Sequence, residues 1–269
     1  KMASTRLAVE VNALTKTFHG FTAVNAVDLT VATREIFGLI GPNGAGKSTL
    51  IKMLTTLLPP TSGKALVAGY DVVRQPASVR AHIGYVPQLL SSDGALTAYE
   101  NLLLSARLYL IPRAEHHDRI SAALDLMGLT GSAHALVQGF SGGMIRRLEI
   151  AQSMLHRPSV LFMDEPTVGL DPVARRSVWD HVRDLPGRFG TTILITTHLM
   201  EEADELCQRI GILHDGGLVA VGTPPELKAR IGPAATLDDV FIHLTGAEIQ
   251  TGGHYTDVRA TRRSIQSHS

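Results

Sequence analysis

The sequence predicts an α/β fold: a sheet buried on both faces, an antiparallel β unit placed before it, and an α-helical subdomain inserted into it. Three observations carry this expectation. Ile36–Ile40 is an apolar run of strand length that leads into a loop holding Gly41, Gly44 and Gly46, then into a helical repeat of Leu50, Met53, Leu54, Leu57 and Leu58. Val160-Leu161-Phe162-Met163 and Ile193-Leu194-Ile195 are uninterrupted apolar runs, the pattern of strands covered by helices on both sides. Each ends in polar groups, Asp164-Glu165 and His198, at the strand end where α/β sheets form their ligand crevice.

Taken in order, the chain opens with two alternating runs, Leu7-Ala8-Val9-Glu10-Val11 and Ala26-Val27-Asp28-Leu29-Thr30-Val31. The turn-forming His19-Gly20 lies between them, so they read as an antiparallel pair. Phe18, at the tip of the first run, reads by itself as a hairpin core residue. After the first helix, Pro59-Pro60-Thr61-Ser62-Gly63 breaks the chain. Ala65-Leu66-Val67-Ala68-Gly69 and Ile83-Gly84-Tyr85-Val86-Pro87 are short strands, the second delivering Gln88 onto a loop.

The composition then turns helical. Thr97-Ala98-Tyr99-Glu100 is a capping box, and the helix it opens runs to Pro112. A second helix covers about 114–127 and is stopped by Gly128. Its adjacent His116 and His117 point different ways, which suits a solvated face and not a metal pair. Ser141 is the N-cap of a third helix with Met144, Leu148, Ala151 and Leu155 on one face. With Gly142 and Gly143 beside it, the start of that helix suits ordinary capping or a second anion site. Asp171-Pro172 opens another helix, aspartate at N-cap and proline at N1. Residues 210–214 and 218–221 flank Asp215-Gly216-Gly217, a hairpin signal. From about Gly246 the chain is rich in Gly, Thr and Ser with scattered arginines, and is expected to be poorly ordered.

Strand, G-x-x-x-x-G-K-[ST] and helix in succession define a phosphate site. The glycines let successive backbone N–H groups converge on one concavity, and the helix N-terminus adds a positive end. Lys47 brings a mobile cation to the β/γ-phosphates, and the Ser48 hydroxyl is placed to ligate Mg²⁺. The reading is a site for a nucleoside triphosphate. Length, at 269 residues, allows one large or two modest domains. Formal net charge is zero, which leaves no broad basic footprint for nucleic acid. The single cysteine, Cys207, has no internal disulfide partner and reads as a structural thiol of a reducing compartment. No apolar run approaches the roughly twenty residues that span a bilayer. The N-terminal residues also lack a charged-then-apolar leader pattern. Any work at a membrane is therefore expected to go through another chain.

The loop 41–48, Gln88, Ser141-Gly142-Gly143, the stretch 161–165, Gly169-Leu170-Asp171 and His198, in that order, resemble an ABC-type ATPase domain over roughly residues 6–230. Three further stretches resemble the drug-export branch, the ATP-binding subunits of daunorubicin-resistance-type exporters. They are the run from Ser141 to Ala151, the run from Thr197 to Asp204, and Thr236-Leu237-Asp238-Asp239-Val240-Phe241.

The resemblance implies a P-loop NTPase (RecA-like) core with an N-terminal antiparallel β subdomain and an inserted α-helical subdomain. The ATP-binding domain covers 1–245, with core and β subdomain in 1–87 and 159–230, helices in 88–158, and a tail at 246–269. Its cofactors are ATP and Mg²⁺. Phe18 matches the aromatic that stacks on adenine, which reverses the core reading; Asn43, Gly44, Ala45, Gly46, Lys47, Ser48 and Thr49 match the phosphate loop. Gln88 matches the glutamine that touches Mg²⁺ and the attacking water and links the site to the membrane partner. Asp164 matches the Mg²⁺-orienting acid, Glu165 the general base, and His198 the γ-phosphate contact. Asp171 belongs to the matched nucleotide-site set, and Ser141, Gly142 and Gly143 match the signature that reaches the γ-phosphate of the other subunit's ATP.

Two protomers are therefore expected to close head to tail on two ATP molecules. The implied partners are a twin or a related ATP-binding subunit, as homodimer or heterodimer, and integral membrane permease subunits, with no nucleic acid. The implied location is peripheral, at the cytoplasmic face of the cell membrane. Two departures stand out: Met144 where many members carry glutamine, and Arg34 where a glycine usually precedes Glu35-Ile36. If Arg34 takes a positive φ it costs on the order of 1 kcal/mol. A soluble ABC ATPase acting on ribosomes or DNA is the competing reading. Such proteins usually carry two of these domains or long coiled coils, which this length does not hold. A P-loop kinase or GTPase leaves the Ser-Gly-Gly signature and Gln88 unexplained, and the chain has no Asn-Lys-x-Asp motif.

Overall fold

The computed structural model describes residues 6–246; the expected tail, apart from Gly246, lies outside the described residues. Among the described residues ten strands and ten helices follow one another, setting aside three short 3₁₀ turns. The strands are β1 (Leu7–Phe18), β2 (Phe21–Ala32), β3 (Ile36–Ile40), β4 (Ser62–Val67), β5 (Tyr70–Asp71), β6 (Ile83–Val86), β7 (Val160–Asp164), β8 (Thr192–Thr197), β9 (Arg209–His214) and β10 (Gly217–Gly222). The helices are α1 (Lys47–Leu54), α2 (Pro76–His82), α3 (Ala98–Leu108), α4 (His116–Leu126), α5 (Gly142–Met154), α6 (Pro172–Arg183), α7 (Leu185–Phe189), α8 (Met200–Leu206), α9 (Pro224–Ala229) and α10 (Leu237–Thr245).

The strands form two sheets. One is antiparallel, in the order β2-β1-β4-β5; the other runs β10-β9-β3-β8-β7-β6. Within the second, β9-β3-β8-β7-β6 are parallel and β10 folds back on β9 as a hairpin. The apolar runs are what they read as: β3, β7 and β8 are buried along their whole length. α1 lies in the core shared by both sheets, with Leu50, Ile51, Met53 and Leu54 completely buried. The opposite face of the parallel sheet packs on the helices of the central and C-terminal segments. Cys207 is buried, and a Cβ on Gly38 of β3 would sit 2.7 Å from its Sγ. Burial, with the charges of Glu202 and Glu35, pushes that thiol well up, as suits an inert packing group.

Local chemistry sets the helix ends. Thr97 and Glu100 form the expected capping box, Ser141 accepts from Met144 N–H, and Asp171 accepts from Val173 and Ala174 N–H. Gly128 follows α4 at φ 61°.

Two expectations need correction. The apolar repeat extends through Leu58, but α1 stops at Leu54. Thr56 turns to φ 64° and leaves Leu57 60% exposed, because the chain must reverse before the Pro59-Pro60 break to enter β4. The β1–β2 hairpin is also much longer than its alternating runs. Register shifts interrupt the ladder, and Ala13 and Ala26 both sit at φ 45°, so the period of two is lost while the pairing continues.

Arg34 does take a positive φ, 66°, and its N–H donates to Thr192 Oγ1 at 2.8 Å.

Candidate functional site

The loop between β3 and α1 is clamped from two sides. Gly46 turns at φ 104°, and a Cβ there would lie 2.3 Å from the Ala23 carbonyl of β2, so only glycine fits. From the β9–β10 turn, Gly216 N–H donates to Ala45 O at 3.1 Å. Lys47 folds back inside this loop, donating to Gly41 O at 2.8 Å and Pro42 O at 3.0 Å. Its Nζ also pairs with Glu165 Oε1 at 3.2 Å, both side chains almost fully buried.

The strand tips supply the rest. Ser48 Oγ donates to Asp164 Oδ1 at 3.0 Å, and Thr196 Oγ1 donates to the same oxygen at 2.6 Å. Glu165, one residue beyond β7, is held at φ 47° with its N–H on Thr196 O. Its Oε2 faces His198 Nδ1 at 3.2 Å and accepts from Gln88 Nε2 at 3.4 Å. Burial pushes the Glu165 carboxyl up, but the His198 hydrogen bond and the Lys47 charge outweigh it and hold the group below the usual carboxylate range.

These groups open on a cleft of about 680 Å³ lined by Phe18, Asn43, Gly44, Gly46, Lys47, Ser48, Thr49, Gln88, Glu165 and His198 among others. Asp164 lies directly behind Ser48, and Ala45 is buried in the loop. Phe18 is 40% exposed with Lys16 Nζ 5.1 Å from its ring centre, so it is a cleft wall and not the hairpin core residue its position alone suggests.

Besides Asp164 and Ala45, which sit behind its wall, four expected site residues lie elsewhere. Ser141, Gly142, Gly143 and Asp171 gather where α5 and α6 begin. A Cβ on Gly143 would meet Ala174 Cβ at 2.9 Å, and one on Gly142 would meet Leu170 at 3.1 Å. Ser141 is exposed there.

The sequence reading missed several participants. Phe21 and Val168 also line the cleft. Thr196 looks like one more residue of an apolar strand, yet its hydroxyl holds Asp164. Glu202 is buried on α8 and accepts from Thr167 Oγ1 at 2.6 Å and Trp179 Nε1 at 2.8 Å. Burial outweighs those bonds and raises its carboxyl. Arg146, 2% exposed, donates to Pro87 O at 2.6 Å, Gln88 O at 2.7 Å and Glu149 Oε2 at 2.9 Å. Glu149 in turn accepts from Ser91 N–H and Oγ. On sequence these two are an ordinary i, i+3 surface pair; only folding shows that they bind the loop carrying Gln88 to α5.

A glycine loop opening a helix after β3, with carboxylates at the tip of β7 two strands away across β8, defines a phosphate-binding α/β NTPase. The ABC transporter family profile matches residues 24–168. The chain is 45% identical over 225 residues to the daunorubicin/doxorubicin resistance ATP-binding protein DrrA of Streptomyces peucetius, which covers 84% of this chain and 68% of DrrA. It is 42% identical over 240 residues to the probable multidrug ABC transporter ATP-binding protein YbhF of Escherichia coli, 88% of this chain but 41% of YbhF. A solved ATP-binding subunit of an ABC transporter superposes with a TM-score of 0.78 at 31% identity, covering 88% of this chain and 99% of that one. The chain belongs to the ABC transporter family, as an ATP-binding ATPase domain.

Proposed function

We propose that this chain is the ATP-hydrolysing subunit of an ABC exporter, and that two copies close on two ATP molecules to drive separate membrane subunits. One observation carries the dimer: the motif residues fall into two groups, one at the cleft and the other, Ser141, Gly142, Gly143 and Asp171, at the starts of α5 and α6, where Ser141 and Asp171 are exposed and Gly143 is buried. A cleft lacking Ser141 is half of a site that a second copy completes.

Within one half-site, Phe18 stacks on the adenine, the 43–49 backbone cradles the phosphates, and Lys47 leaves Glu165 for the β/γ-phosphates. His198 contacts the γ-phosphate, Gln88 and Glu165 hold the attacking water, and Glu165 takes its proton.

Ser48, Asp164 and Gln88 offer hard oxygen donors that suit Mg²⁺. Among the described residues no group of three or more His, Cys, Asp or Glu side chains could hold a metal. Held by Ser48, Asp164 and Gln88, Mg²⁺ would supply neutralisation of the phosphate charge.

Among the described residues no helix is long and apolar enough to cross a membrane. The proposed docking of the membrane subunit is on the helical segment 89–135, reached through Gln88, which exposes Leu89, Leu104, Leu108 and Leu110. The proposed location is peripheral, at the cytoplasmic face of the membrane. The proposed cargo is a drug, lipid or other hydrophobic compound moved outward, a reading supported by the drug-resistance name of DrrA and the multidrug-transporter name of YbhF.

Ser141→Arg tests the shared site. It is expected to leave ATP affinity within about twofold, since Ser141 is absent from the cleft, and to lower turnover by about 100-fold or more. Light scattering of the same variant with ATP should show a monomer in a Glu165→Gln background that otherwise dimerises. Normal turnover by Ser141→Arg would show that one chain completes its own site and would end the proposal.

A further inference from the structure

A second cavity, of about 570 Å³, lies at the other end of the parallel sheet, where β7 and β8 begin. Arg6, Arg34 and Arg157 line it, and no aspartate or glutamate does. Among the described residues none of these three guanidinium groups has an ion pair or a side-chain hydrogen bond. The Arg34 head lies across Gly190, where a Cβ would be 3.4 Å from Nε. The acid next to it in sequence, Glu35, is buried and committed to Arg209 and to Ala32 N–H. In a chain of zero formal net charge, three unpaired cations around one cavity are a local excess that repels itself.

The backbone adds an independent observation. Arg34 and Arg157 both stand at positive φ, 66° and 56°, where glycine is the unstrained residue. Two strained positions in different parts of the chain thus both carry arginine, and both arginines face the same cavity. Strain kept at converging positions marks a functional site, because residues chosen for stability alone would remove it.

We propose that this cavity binds a multiply charged phosphate-bearing anion, with Arg6, Arg34 and Arg157 as its guanidinium clamp. Arginine's planar fork matches phosphate oxygens two at a time, and three forks without a counter-ion match an anion with several charges. The cavity is larger than a single phosphate, so the ligand is a polyphosphate, a phosphorylated small molecule or a lipid headgroup. The site lies away from the Lys47 loop and does not depend on it.

The two strained arginines make the test clean. Arg34→Gly and Arg157→Gly relieve the backbone, so each is expected to raise the melting temperature by about 2 °C. Tripolyphosphate is titrated by calorimetry into the full chain carrying Lys47→Ala, which disables the nucleotide loop. Binding is expected there, weakened about tenfold by either glycine substitution and by more in the pair. Cosedimentation with vesicles of 70% phosphatidylcholine and 30% phosphatidylglycerol identifies the source. Vesicle binding lost in the double variant assigns a headgroup; tripolyphosphate binding without vesicle association assigns a soluble phosphate. The proposal is overturned if neither probe binds, or if binding is unchanged in the stabilised double variant. In an otherwise wild-type chain both variants should keep their ATP affinity, which separates this site from the nucleotide cleft.

Discussion

Glu165→Gln should bind ATP within about twofold of the wild type, accumulate as an ATP-bound dimer, and turn over at least about 1,000-fold more slowly. The substitution keeps shape and burial but removes the carboxylate proposed to accept a proton from water. Lys47 donates to two carbonyls as well as to Glu165, so it stays in the loop when the carboxylate becomes an amide. Binding is therefore preserved while chemistry is lost. Gel filtration with light scattering reads the dimer, and phosphate release reads turnover. Release at the wild-type rate would exclude Glu165 as the base.

The same geometry sets a pH signature. Without nucleotide, Glu165 sits between Lys47 and His198, each about 3.2 Å away, and its carboxyl is held below the usual range despite burial. Phosphates draw Lys47 and His198 away, leaving burial as the main influence, and burial raises a carboxyl. The free-enzyme value governs kcat/KM and the bound-state value governs kcat. On the acid side, kcat should therefore fall at a higher pH than kcat/KM. Acid limbs that coincide would mean that Lys47 and His198 stay with Glu165 when nucleotide binds.

How much of this was legible depends on how local each cause is. The phosphate loop is written in one run of eight residues, 41–48, and the caps at Thr97, Ser141 and Asp171 are set by residues within four positions of one another; all three caps form. Strands β3, β7 and β8 were legible because helices cover both their faces, which leaves no polar gaps in the sequence. Where the cause is distant, the reading went astray or fell silent. Leu57 fits the helical repeat yet is left outside α1 by the turn at Thr56. Phe18 looks like core until the cleft forms beside it. The Thr196–Asp164 bond spans 32 residues and the Arg146–Gln88 bond 58, distances at which side-chain spacing carries no signal.

Arg146 is the position where such a hidden contact has the largest expected cost. Arg146→Met leaves the Glu149 carboxylate 3% exposed and without its cation, and strips the donor from Pro87 O and Gln88 O. Removing one partner of a buried pair costs about 3–5 kcal/mol, which for a domain of this size is a fall in melting temperature of about 10 °C. The pair itself is not the source of net stability. Burial already pulls the Arg146 guanidinium below its ordinary range, against the opposing charge of Glu149. Arg146→Met with Glu149→Leu should therefore recover most of the lost stability, because the desolvated charges are gone together. Turnover should not recover with it. The loop carrying Gln88 is bound to α5 through Arg146 and, at Ser91, through Glu149, and an apolar pair restores neither tether. A refolded double variant with ATP affinity unchanged and kcat lowered about tenfold would show that the pair positions Gln88. If kcat returned together with the melting temperature, Arg146 and Glu149 would be packing residues and nothing more.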